Sequence, residues 1–99
     1  MSVIQERKVK AMNRAECLEY AKEIVCHDRD EAYGKPENNF GTIAELWSAY
    51  LGTEIKPIDV AMMMIMLKMS RVKNGKLKDD NFIDIAGYSA CACEMGVSE

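Results

Sequence analysis

The 99-residue sequence lacks almost everything that would build a sheet. No stretch alternates apolar and polar residues for long enough to give a half-buried strand, and no repeat or low-complexity tract stands out. A basic excess is missing as well: the net charge of −3 sets the chain apart from general nucleic-acid binders. The first ten residues, MSVIQERKVK, contain no apolar segment of the kind a secretory signal needs. The longest apolar run is eight residues, far below the roughly 20 that span a bilayer, so no membrane partner is expected. The four cysteines, Cys17, Cys26, Cys91 and Cys93, include no C-x-x-C pair. Cys91 and Cys93, two apart on a helix, would point in roughly opposite directions. Neither a zinc site nor a disulfide framework is indicated, and reduced thiols in a cytoplasm are expected. His27 is the single histidine and has no acid–base triad to join. What remains is ordinary for a soluble globular protein, 48% hydrophobic and 29% charged, with enough chain for one domain over residues 1–99.

That domain is organised around PIDVAMMMIMLKMSRV, Pro57 to Val72. Val60 to Leu67 are apolar without a break. Methionine is a poor strand residue, and a helix apolar all round must be buried all round. A buried central helix is therefore predicted. Its apolar circumference exceeds what three short partners easily cover, which predicts a homodimer or higher homo-oligomer. Lys68 and Arg71, three apart, share a face at its polar end.

Three further helices fit the remainder. Residues 1–12 show no clear period and read as an N-terminal arm that frays or extends the first helix. Asn13-Arg14-Ala15-Glu16 has the form of a capping box, followed by Leu18, Ala21, Ile24 and Val25 at helical spacing. This helix should continue through HDRDEAY to Gly34, with Pro36 just beyond. A second fits Glu37 to Leu51, with Phe40, Ile43, Ala44, Trp47 and Leu51 facing inward and Gly41, Glu45 and Ser48 outward. The central helix should end at Asn74-Gly75 in a left-handed cap. In the fourth, Asp79 or Asp80 can cap, Ile83, Ala86 and Ala90 can face the core, and the small residues Ala86, Gly87, Ala90, Cys91 and Ala92 allow close approach of a neighbour. The fold class is all-α, a compact four-helix bundle with a Met-rich central helix.

Chemistry could come from few places. Asp80, Asp84 and Tyr88, at i, i+4 and i+8, form one polar stripe. Carboxylates one turn apart are close enough to share a hydrated divalent cation, and Asn81 can add an amide oxygen. Alternatively Asp80 caps the helix, and Asp84 pairs with Lys68 or Arg71 across the bundle. Those two cations could bind phosphate, the arginine as a fork and the lysine as a point charge, or form a solvated helix end. Asp28 to Glu31 read as a solvated face, where Arg29 and Tyr33 can pair at i, i+4. Trp47, Tyr50, Phe40 and Tyr33 could stack on a base, but core filling explains them more simply. The methionines suit a core or a subunit interface.

Four motifs taken in order, DRDEAYGKPENNF, IAELWSAYLG, PIDVAMMMIMLKMSR and DNFIDIAGY, resemble a family of small uncharacterised proteins of phages and prophages. The resemblance covers roughly Ala15 to Cys93. That family in turn is similar to the all-α nucleoside triphosphate pyrophosphohydrolases, the MazG-like and dimeric dUTPase group. There, an E-x-x-E helix and a later E-x-x-D helix together hold Mg²⁺ on the triphosphate. The later motif falls on Asn81-Phe82-Ile83-Asp84, with asparagine in place of glutamate. The earlier falls on Lys68-Met69-Ser70-Arg71, where two cations replace two carboxylates. Glu16-x-x-Glu19 and Asp28-x-x-Glu31 have usable spacing on a different helix.

The resemblance thus implies a MazG-like protein that binds a nucleotide or phosphate ligand, in a host cytoplasm if phage-encoded. As an enzyme it would be a nucleoside triphosphate pyrophosphohydrolase, with Mg²⁺ on Asp80, Asn81 and Asp84, phosphate on Lys68 and Arg71, and Trp47, Tyr88 or Arg29 touching the ligand. The alternative is a non-catalytic helical module that forms a homo-oligomer or docks a host protein. The two cations at the first motif count against hydrolysis, whereas a phosphate site would survive them.

Overall fold

The computed structural model describes residues 12–28, 34–75 and 79–96. Among them every regular element is helical and no strand occurs. Helix α1, Arg14–Glu23, starts on the predicted capping box. Asn13 Oδ1 accepts from the Glu16 amide at 2.8 Å, and Glu16 Oε1 accepts from the Asn13 amide at 3.1 Å. Reciprocal caps of this kind satisfy amides that the first turn otherwise leaves open.

Helix α1 is shorter than its spacing predicts. Regular α-helix stops at Glu23, and Ile24–Asp28 widen into a π-helical turn. The widened turn sets Val25 Cγ1 close against Gly87. The predicted continuation through residues 29–33 lies outside the described residues, as do residues 1–11 of the arm predicted over 1–12.

Gly34, at φ 86°, turns the chain into α2, Pro36–Leu51, with Pro36 at the position where a missing amide costs nothing. Gly52, at φ 73°, closes α2 in the left-handed conformation that a β-carbon disfavours. Ser48, expected on the outer face, is instead a half-buried staple: its Oγ accepts from the Ile55 amide at 2.7 Å and donates to the Ile55 carbonyl at 3.2 Å. Helix α3, Pro57–Asn74, begins with Asp59 Oδ2 accepting from the Lys56 amide at 2.9 Å. It ends at Gly75 with extended rather than left-handed backbone, φ −121° and ψ −161°. Helix α4 spans Asp79–Gly96, so Asp80 lies inside its first turn and is not its cap.

Helices α3 and α4 form the broadest contact and run antiparallel, with Ile58 near Gly96 at one end and Lys68 against Asp84 at the other. Helix α1 lies on α4, and α2 on α3. Phe40, Ala44, Val60, Ala61, Cys91 and Met95 make the larger core, with Trp47, Ile43 and Met64 around it. Ala21 and Ile83 make a second, with Met12, Cys17 and Tyr20 against them. Full burial of side chains such as Phe40, Ile83 and Val60 is worth ~1.5–3 kcal/mol each.

Several apolar positions that the spacing placed inside are exposed: Leu18, Leu51 and Ala90. The larger correction concerns α3. Met62, Met66 and Met69 are about half exposed, at 49%, 55% and 55%, so the helix is not covered on every side. They sit opposite Val60, Ala61 and Met64, because α2 and α4 pack on only one side of it.

The helical glycines separate two effects. A β-carbon at Gly41 would meet nothing, whereas one at Gly87 would lie 2.9 Å from Val25 Cγ1. Gly41→Ala should therefore stabilise by ~0.5–1 kcal/mol through backbone entropy. Gly87→Ala should destabilise by ~1 kcal/mol or more, since overpacking outweighs that gain. Urea denaturation of both variants checks the opposite signs.

Candidate functional site

The polar residues singled out by spacing converge where the C-terminal half of α3 crosses the N-terminal half of α4. Helical periodicity puts Lys68 one turn beyond Met64 on the face turned to α4, and Asp84 one turn beyond Asp80 on the face turned back. Lys68 Nζ lies 3.0 Å from Asp84 Oδ2, with the two side chains only 13% and 19% exposed. Of the two partners open to Asp84, Lys68 is the one it takes. Arg71, one turn further on, is exposed.

Asp80 is half-buried, and its Oδ1 is shut away from solvent without a hydrogen-bond donor among the described residues. An acceptor in that state is costly unless something supplies a donor or a cation. Asn81 is buried at 9% exposure. Among the described residues no three His, Cys, Asp or Glu side chains gather into a cluster fit for a metal ion.

Beside Asp84 on α4, the π-helical turn presses against Gly87. Ala21, Ile24, Val25, Ile83, Asp84, Gly87 and Tyr88 enclose a cavity of about 30 Å³. That is room for a water molecule and far too little for a nucleotide. Helical spacing put Ala21, Ile24 and Val25 on one apolar stripe but did not reveal that they meet Gly87 and Asp84. The run of small residues around Gly87 was the one available signal of a close neighbour.

Three of the aromatic candidates, Phe40, Trp47 and Tyr88, gather on the larger core. Tyr88 is half-buried with its ring 6.2 Å from that of Phe40 at 32°. Trp47 packs on the larger core through α2. Arg29 lies outside the described residues. His27, Cys26 and Cys93 are exposed and Cys91 is buried, the opposition that two-residue spacing predicted.

The family model described as a domain of unknown function, DUF6378, matches residues 16–96. The chain belongs to this family. This DUF6378 chain is 46% identical over 74 residues to the Gene 55 protein of Mycobacterium phage D29, covering 75% of the chain and 49% of that relative. It is 41% identical over 83 residues to the Gene 55 protein of Mycobacterium phage L5, covering 83% of the chain and 53% of that relative. The chain therefore spans about half the length of these phage relatives. No solved structure matches it. The resemblance to a small phage protein family, expected from the four motifs, is thus established. Among the described residues no helix is long and apolar enough to cross a membrane.

The ion pair makes its own prediction. Asp84→Ala leaves Lys68 largely buried without a counter-charge and should cost ~1–3 kcal/mol, between the values for exposed and fully buried pairs. Replacing both partners, Lys68→Met with Asp84→Leu, should cost less than Asp84→Ala, because no charge is stranded. Thermal melts of the three proteins measure the ordering.

Proposed function

We propose that this chain is a non-catalytic helical interaction module that works as a homo-oligomer. The observation that carries this reading is the outer side of α3, where Met62, Met66 and Met69 stand exposed at positions a solvent-facing helix normally fills with charge. Methionine suits such a surface, because its unbranched, polarisable side chain moulds to a partner. The Lys68–Asp84 contact points the same way, since the lysine that a phosphate would need is already neutralised inside the protein.

A second reading is favoured by Asp80. Its unsatisfied Oδ1 is an acceptor that a cation would complete. In that reading Asp80, Asn81 and Asp84 hold Mg²⁺, Lys68 and Arg71 take the phosphate of a nucleotide, and the Lys68–Asp84 contact opens to admit it. A MazG-like pyrophosphohydrolase activity would require more carboxylates than this set contains.

Two measurements separate the readings. Sedimentation or light scattering up to ~100 µM should give a mass above the 11.2 kDa of one chain, with dissociation in the micromolar range expected for a small interface. A monomer throughout would end the oligomer reading. The thermal midpoint should be indifferent to Mg²⁺ and to a panel of nucleoside triphosphates. A rise with both, lost in Asp84→Asn, would transfer the proposal to the second reading.

A further inference from the structure

We infer that a second copy of this chain docks antiparallel on the outer face of α3, with Met66 on the two-fold axis. The inference deepens the self-association proposed above and rests on it. At 100° per residue, Asp59, Met62, Met66, Met69 and Lys73 fall within an arc of roughly 80°. They form a single stripe with an acid at one end, thioethers between and a base at the other. The methionines are the exposed ones, Lys73 is exposed, and Asp59 is held at the helix start by its bond to the Lys56 amide.

The order of these residues dictates orientation. Asp59 and Lys73 each stand seven residues from Met66, so an antiparallel pair centred there brings each Asp59 to the Lys73 of the other copy. Met62 then lies beside Met69 of the other copy, and Met66 meets itself. The charged ends close on each other over about 21 Å of helix. A parallel pair would set Asp59 against Asp59 and Lys73 against Lys73, which like-charge repulsion disfavours. A two-fold interface of this kind is closed, because each copy uses the same patch.

The test uses single-cysteine cross-linking on the full chain. The exposed native thiols are first removed by Cys26→Ser and Cys93→Ser, a background that must give no covalent dimer itself. Helices packed 8–10 Å apart bring α-carbons at the axis within reach of a disulfide. Under mild oxidation Met66→Cys should give a covalent dimer. Met62→Cys and Met69→Cys should fail alone and cross-link when mixed. Lys73→Glu should weaken association roughly tenfold, since each dimer loses two opposite-charge contacts and gains two repulsions. An assembly in which Met62→Cys links to itself, or in which no position links, would overturn this docking and leave self-association standing. A background protein that stays monomeric at ~100 µM would overturn both.

Discussion

Helix α4 is the element on which the others depend, because it alone touches each of the other described segments. Its inner stripe, Ile83, Gly87, Cys91 and Met95, repeats every fourth residue and is buried throughout. Ile83 serves the core shared with α1, and Cys91 and Met95 serve the core shared with α2 and α3. Gly87 lies between them, where the π-helical turn approaches too closely for any side chain. The two cores are thus joined by a contact of backbone against Val25 rather than by a bulky residue. Beside that stripe runs Asp80, Asp84 and Tyr88, so the polar side chains are fixed by the same packing that holds the helices together.

Much of this was legible in the sequence. The caps at Asn13 and Glu16, the helix start at Pro36 and the extent of the central helix all follow from local rules, which need no knowledge of neighbours. The pairing of Asp84 with Lys68 was one of two stated options, since helical spacing fixes the face but not which residue opposite meets it. The π-helical turn was not legible. Its cause is a tertiary fit between Val25 and Gly87, and periodicity reads only one helix at a time. Ser48 was misplaced for a similar reason: its partner, Ile55, lies beyond a turn whose shape local spacing does not give. The reading of α3 as wholly buried erred because eight apolar residues record a demand for cover, and the chain meets that demand on one side only.

The candidate site illustrates how one residue's placement constrains another's use. A lysine at 13% exposure, paired at 3.0 Å, is a structural charge before it is a ligand-binding one. Freeing it would leave Asp84 in the state of Asp80 Oδ1, an acceptor without a donor among the described residues. Lys68 and Asp84 are therefore energetically linked, and a change at either alters the cost at the other.

The unbranched side chains on the outside of α3 have an implication for how this surface changes over time. Leucine, glutamine and lysine sustain a helix about as well as methionine does. Met62, Met66 and Met69 can therefore be exchanged for them with little effect on a fold whose cores lie on the other side. Surface identity and fold are governed here by separate sets of residues. Variants can lose or acquire an attachment by a few substitutions on one helix face, while the architecture beneath is inherited intact.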